Sequence, residues 1–198
     1  MTKTFEPQKF NIPTLNGISA KSVEEHLALY AGYVKNFNGI CELMGKLMTD
    51  ESNSIALAEL QRRLSFEFGG MRLHEYYFKH LEGGAKTLNT ESPLAKKMIE
   101  QFGSVEQTMK FIKNVGMMRG PGWAIMYYDP KSENLMFGFS EEQHIGHFAS
   151  LPIILALDVW EHTYVLDYGA SGKGKYIDAF LSNLNWETLE ESFSNATH

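Results

Sequence analysis

Cysteine is nearly missing from this chain of 198 residues: the one present, Cys41, cannot form an internal disulfide, which suits a reducing cytosol. Long hydrophobic runs are missing too. No stretch reaches the roughly 18 apolar residues of a membrane span, and the longest apolar run, Leu151 to Leu157, is strand length. The opening residues, MTKTFEPQKFNIPTLNG, have no apolar core of a secretory signal. Net positive charge is absent: the chain carries −6, with a pI near 5.6. That balance argues against general affinity for nucleic acid or anionic lipid, although a local patch of Lys stays compatible with it. It would also repel an anionic substrate at long range, so anion chemistry here needs local positive charge, such as a trivalent metal supplies. No internal repeat or low-complexity segment is present. The expectation is a cytoplasmic protein with neither a membrane nor a nucleic acid as partner.

What the chain does contain is ample core material. Hydrophobic residues make up 43% and charged residues 21%, and 13 Phe, 9 Tyr and 3 Trp are available for packing. A chain of this size should bury roughly 70% of its unfolded surface. An extended leader, Phe5 to Asn16, ends at Gly17. Ser19 or Ser22 could cap the helix that follows, and Ser22 with Glu25 fits a capping box. Val23, Leu27, Tyr30, Val34, Phe37, Ile40 and Met44 then recur at helical spacing to about Met48. A second helical stretch, about Ser54 to Leu81, is expected to break or bend near Gly69-Gly70 and to close at Gly83-Gly84. Short helices are predicted over Ser92 to Phe102 and Ser104 to Val115. Strands are predicted over Trp123 to Tyr128, Asn134 to Phe139 and Pro152 to Leu157, the first two joined by Asp129-Pro130-Lys131-Ser132. Helices over Lys173 to Leu184 and Trp186 to Asn195 complete the chain. The fold class is α+β: an N-terminal antiparallel helical hairpin (1–88), then an α/β lobe with a small three-stranded antiparallel sheet (89–198).

Seven histidines are present: His26, His74, His80, His144, His147, His162 and His198. A lone helical His is usually a surface or satisfied core residue. The string Asp158-Val-Trp-Glu-His162 carries more, because the apolar run before it delivers a carboxylate to the end of a buried strand. An unpartnered carboxylate there would cost several kcal/mol, and a metal or a hydrogen-bonded His compensates. The same local spacing fits a structural Asp–His bond, or an iron site of two imidazoles and one carboxylate.

Beyond that string, His74-Glu-Tyr-Tyr77-Phe, Gly120-Pro-Gly-Trp123-Ala, Tyr164 two residues after His162, and Asn185-Trp-Glu187 follow in order. Ile18-Ser-Ala and Tyr33-Val-x-Asn36 bracket His26. In these motifs, spread over about residues 10 to 195, the chain resembles the iron/manganese superoxide dismutases. The resemblance implies one manganese or iron ion per subunit, held by His26, His74, Asp158 and His162 with water or hydroxide as fifth ligand. The implied reaction converts two superoxide radicals and two protons to dioxygen and hydrogen peroxide as the metal cycles between its 3+ and 2+ states. Tyr33 resembles the tyrosine that lines the substrate funnel and aids proton transfer. Tyr77, Trp123 and Trp160 resemble the aromatic walls around the metal. Glu161 resembles the glutamate that reaches His162 of the partner subunit in a homodimer, and Tyr164 belongs to that interface.

Several positions depart from the family pattern. The usual funnel His is Tyr30, and one residue is missing before Tyr33, so a different gap would put Glu25 in the ligand position in place of His26. Positions i and i+7 share a helix face, so His26 and Tyr33 can still point together, and His26 is preferred because its imidazole completes the ligand set that the resemblance implies. Phe78, Leu73 and Ile125 replace residues that affect packing more than the ligands. Gly70 stands where iron-type members carry a Gln bonded to the metal's water. In the loop Glu141-Glu-Gln143-His144-Ile-Gly-His147, Gln143 is the first choice for that role and His144 the second, which leans the metal towards manganese. Ala156, two residues before Asp158, lies where members of different metal preference differ. The competing readings are a catalytically silent structural homologue of the family, and a different iron enzyme of oxygen chemistry using His74, Asp158 and His162.

Overall fold

The computed structural model describes residues 4–197, so His198 lies outside the described residues. Two long helices come first, α1 (Ala20–Leu47) and α2 (Ser54–Lys79), with a short 3-10 turn (Glu51–Asn53) between them. Ser19 caps α1: its Oγ accepts the Ser22 amide at 3.1 Å. Ser22 is therefore inside the helix, and Glu25 pairs with Lys21 on the surface at 3.7 Å, so the expected Ser22–Glu25 capping box does not form. His26, Tyr30, Val34 and Phe37 make the buried stripe of α1, at the spacing of one helix face.

The expected break at Gly69-Gly70 is absent, and α2 is a continuous helix. These glycines serve close approach. A Cβ on Gly70 would collide with the Tyr33 ring, and one on Gly69 with the Gln143 carbonyl. The helix ends at Lys79, and the chain turns through Gly83 and Gly84 at φ of 73° and 80°, a region that glycine reaches without a Cβ penalty.

The second half carries α3 (Pro93–Phe102), α4 (Val105–Gly116), β1 (Trp123–Asp129), β2 (Asn134–Ser140), β3 (Ile153–Asp158), a 3-10 turn (Glu161–Thr163), α5 (Val165–Tyr168), α6 (Lys173–Ser182) and α7 (Trp186–Ala196). The turns at Glu51 and Glu161 and the one-turn α5 had no readable periodicity. The three strands form an antiparallel sheet in the order β2-β1-β3, which makes the architecture α+β as the sequence indicates. Register sets Trp123 opposite both Ser140 and Asp158, so one end of the sheet gathers all three. The outer edge of β3 is covered, since the buried His80 at the end of α2 accepts the Ala156 amide at 3.3 Å. One hydrophobic core runs through both halves, from Tyr30, Met71 and Phe78 to Leu155, Ile177 and Phe193. The leader belongs to it as well: Phe10 packs on Tyr30 and Phe78 with ring centres 5.9 and 5.4 Å apart.

Candidate metal centre

Four segments far apart in sequence meet at the Trp123 end of the sheet. His26 comes from the first turns of α1, His74 from the last turns of α2, Asp158 from the last position of β3, and His162 from the 3-10 turn that follows. One donor atom from each lies within 4.8 Å of the other three. Asp158 Oδ2 is the hub, at 3.2 Å from His26 Nε2, 3.2 Å from His162 Nε2 and 3.7 Å from His74 Nε2. Its second oxygen, Oδ1, accepts the Trp160 amide at 2.9 Å, which fixes the carboxylate after the strand ends.

Burial decides the charge states here. His74 and Asp158 are wholly enclosed and His26 is 3% exposed, whereas the His162 side chain retains 24%. Desolvation pushes His26 down, and drives His74 down to about 3 with repulsion from His26 adding to it. Both imidazoles are therefore neutral near pH 7. For Asp158, burial acts upward, but His162 and His26 beside it outweigh that and hold the carboxyl well below its ordinary range. Burial alone would lower His162, yet the charge of Asp158 and its hydrogen bond raise it.

The tautomer of His74 follows from its partner. Nδ1 lies 2.6 Å from the Gly70 carbonyl, an acceptor only, so Nδ1 holds the proton and Nε2 turns a lone pair into the cluster. Nε2 of His26 and of His74 are buried without any hydrogen-bond partner. Buried polar atoms in folded proteins are nearly always paired, and an unpaired one costs on the order of 1–3 kcal/mol. The His74 lone pair, the unpartnered His26 Nε2 and an ionised carboxylate converge on one pocket, and a cation of borderline softness is a partner such a donor set accepts.

The aromatic residues singled out in the sequence surround this group. Tyr77 packs on His26 at 4.6 Å between ring centres and Trp123 edge-on to His74 at 5.1 Å, while Trp160 stacks over His162 at 6.3 Å. Tyr33 lies 5.0 Å from the His74 ring. Its hydroxyl accepts from Gln143 Nε2 at 2.9 Å, and Gln143 Oε1 accepts from Trp123 Nε1 at 2.7 Å. Burial, with the charge of Asp158, pushes the Tyr33 phenol up to about 12, while the Gln143 bond works the other way.

Other candidates point elsewhere. Tyr30 keeps its ring near His74, 6.4 Å away, but its hydroxyl accepts the Gln8 amide at 2.9 Å and donates to Glu75 at 3.2 Å, turning towards the leader. His144 leaves the Tyr33–Gln143 line, its ring edge-on to Phe66 at 5.7 Å. Glu25 is solvent-exposed and outside the cluster. Glu161 is exposed and Tyr164 buried, on the turn that carries His162. Sequence reading assigned no role to His147, which bonds to Tyr127, Ser140 and the Gln143 carbonyl. It lies in an irregular loop six residues before β3, so it gave no periodic signal.

The family profile described as iron/manganese superoxide dismutases, C-terminal domain, matches residues 90–192. An iron superoxide dismutase of Aquifex pyrophilus is 34% identical over 188 residues, covering 92% of this chain and 87% of the relative. The chain belongs to the iron/manganese superoxide dismutases. Within that family an iron superoxide dismutase of Pyrobaculum aerophilum is 32% identical, with 90% of this chain and 85% of the relative covered. One from Sulfolobus acidocaldarius is 28% identical over 96% of both chains. These relatives are named as iron superoxide dismutases, whereas the expectation drawn from Gly70 and Gln143 is manganese.

Proposed function

We propose that the chain dismutates superoxide at the four-residue cluster, with His26, His74, Asp158 and His162 holding one iron or manganese ion. The observation that carries this reading is the pair of buried, unpartnered Nε2 atoms of His26 and His74 facing the Asp158 carboxylate. Bound there, the ion would supply one-electron cycling between its 3+ and 2+ states, through which two superoxide radicals and two protons yield dioxygen and hydrogen peroxide.

The residues of the chain have distinct tasks in that chemistry. Neutral His26 and His74 leave no proton in competition with the ion. The Gly70 carbonyl and the Trp160 amide orient His74 and Asp158, and such outer partners commonly change metal affinity by about 10–100-fold. The Tyr33 hydroxyl keeps its proton at neutral pH and stands where Gln143 can direct it, as a donor for the reduced product must. Trp123, Tyr77 and Trp160 exclude bulk water, while the partial exposure of His162 and Tyr33 leaves a side open to a small anion. The subunit is read as one half of a cytoplasmic homodimer, with exposed Glu161 reaching His162 of the partner subunit and Tyr164 beside it; no helix among the described residues is long and apolar enough to cross a membrane.

The test counts Fe and Mn per purified subunit and measures superoxide removal after loading with each metal. About one ion per subunit with activity in at least one form is expected, and the active form decides between iron and manganese. Bound metal without superoxide removal would favour the silent homologue, and absence of metal would sink the reading. His26→Ala should lose the ion while Glu25→Ala keeps it.

A further inference from the structure

Gln143 approaches the site from an irregular segment, and residues 141–152 contain no helix or strand. Its side chain is nevertheless wholly buried and meets two partners at once, Trp123 Nε1 at 2.7 Å and Tyr33 Oη at 2.9 Å. Holding an amide to that tolerance takes support from neighbouring groups, because a loop alone samples many conformations. The Gln143 peptide has such support on two sides. Its carbonyl lies against Gly69 of α2, where any Cβ would collide with it, and His147 Nε2 approaches the same oxygen at 3.2 Å.

Counting hydrogens selects one tautomer of His147. The Gln143 carbonyl can only accept, so Nε2 carries the proton. Ser140 Oγ, 3.2 Å from that nitrogen, gives its own hydrogen to the Ile145 carbonyl at 2.8 Å and is left as a second acceptor. Nδ1 then holds a lone pair and accepts from the Tyr127 hydroxyl at 3.0 Å. Tyr127 belongs to the central strand β1 and is 1% exposed, and Ser140 ends β2 fully buried, so both supports are rigid. Every polar atom in this group has a partner in that one arrangement.

The geometry points to His147 as a positioning residue: steadied by Tyr127 and Ser140 of the sheet, it clamps the Gln143 peptide against Gly69 and sets where the Gln143 amide stands between Trp123 and Tyr33. This rests on the reading of Gln143 as the amide that faces the metal centre, and the experiment separates the two claims.

The amide nitrogen of a Gln side chain reaches about as far as histidine Nε2, whereas that of Asn reaches only as far as Nδ1. His147→Gln therefore keeps a donor for the Gln143 carbonyl, and His147→Asn loses it. Crystal structures of the metal-loaded variants should show Gln143 Nε2 withdrawn from Tyr33 in His147→Asn and retained in His147→Gln. The reduction potential should move and kcat/KM fall about tenfold in the Asn variant alone, the scale of one net hydrogen bond. Tyr127→Phe, which removes only the steadying hydroxyl, should shift both in the same direction by less. Equal behaviour of the Asn and Gln variants, or an undisplaced Gln143 in His147→Asn, would overturn the tether. A displaced Gln143 with unchanged potential and turnover would uphold the tether and refute the role given to Gln143.

Discussion

The two ends of the α1–α2 hairpin are built from the same pair of helices and end up in opposite environments. At the end nearest the sheet, His26, Tyr30, His74, Tyr77 and Phe78 are all at most 3% exposed. At the far end Leu43 is 43%, Met48 71% and Ile55 85% exposed. Helix propensity and apolar spacing differ little between the two ends. What differs is a third layer: β3, the turn after it and the leader cover one end, and no strand or further helix among the described residues packs on the other. An amphipathic helix is buried only where another element presents a face to it, so the His26, His74, Asp158 and His162 cluster could form at one end alone.

The largest break in that contrast should come from Phe78→Ala. Phe78 is 1% exposed and touches Phe10, His26, Tyr30 and Tyr77, and removing a ring so enclosed costs about 3–5 kcal/mol. Urea unfolding monitored by circular dichroism checks it, and a loss below about 1 kcal/mol would mean that the near end is loosely packed.

Acid should distinguish the ends next. His26, His74 and His80 cluster at the near end, and desolvation holds all three below their ordinary value, His74 and His80 at about 3. In the unfolded chain they titrate near 6.5. Between the folded and unfolded values the unfolded state binds more protons, so the stabilising contribution is complete above about pH 6.5; for His74 and His80 it is lost as pH falls towards about 3, and His26 acts in the same direction. The slope is about 1.4 kcal/mol per pH unit for each imidazole kept neutral. Hydrogen exchange of the metal-free protein at pH 7 and pH 5 should show amides of Leu73 to Lys79 opening with acid, while those of Cys41 to Leu47 change little. Equal acid response at both ends would contradict the assignment.

Gly70→Ala should cost less, about 1–3 kcal/mol, because the added methyl forces the Tyr33 ring aside. Its effect on superoxide removal should exceed its effect on stability, since Tyr33 carries the proton nearest Gln143. Ile55→Ala should be the smallest change, within about 0.5 kcal/mol, as expected of an exposed side chain. A larger loss would reveal a partner covering the far end.

Much of this was readable along the chain because it is local. Strand limits follow from alternation and turn residues, so β1, β2 and β3 begin or end within a residue or two of expectation. Helix α1 follows from apolar spacing, although its capping residue is Ser19 and not the Ser22–Glu25 pair. The glycine pair in α2 does not break the helix as propensity would have it; the absence of a Cβ there makes room for Tyr33 and Gln143. Tyr30 and His144 could not be oriented from sequence, since each has two plausible neighbourhoods and only packing selects one.

Residue order and composition by themselves determined the class of fold and singled out Asp158 with His162, because these depend on residue type and on periodicity within an element; His26 and His74 entered only through the family resemblance. Only the tertiary structure decided that the donors meet, that two of them are left without partners, and that Gln143 stands on the Tyr33 side. Those facts depend on contacts between segments as much as 136 residues apart, from His26 to His162. Such distances are closed by the register of β1 on β3 and by the crossing of two helices, which no local pattern encodes.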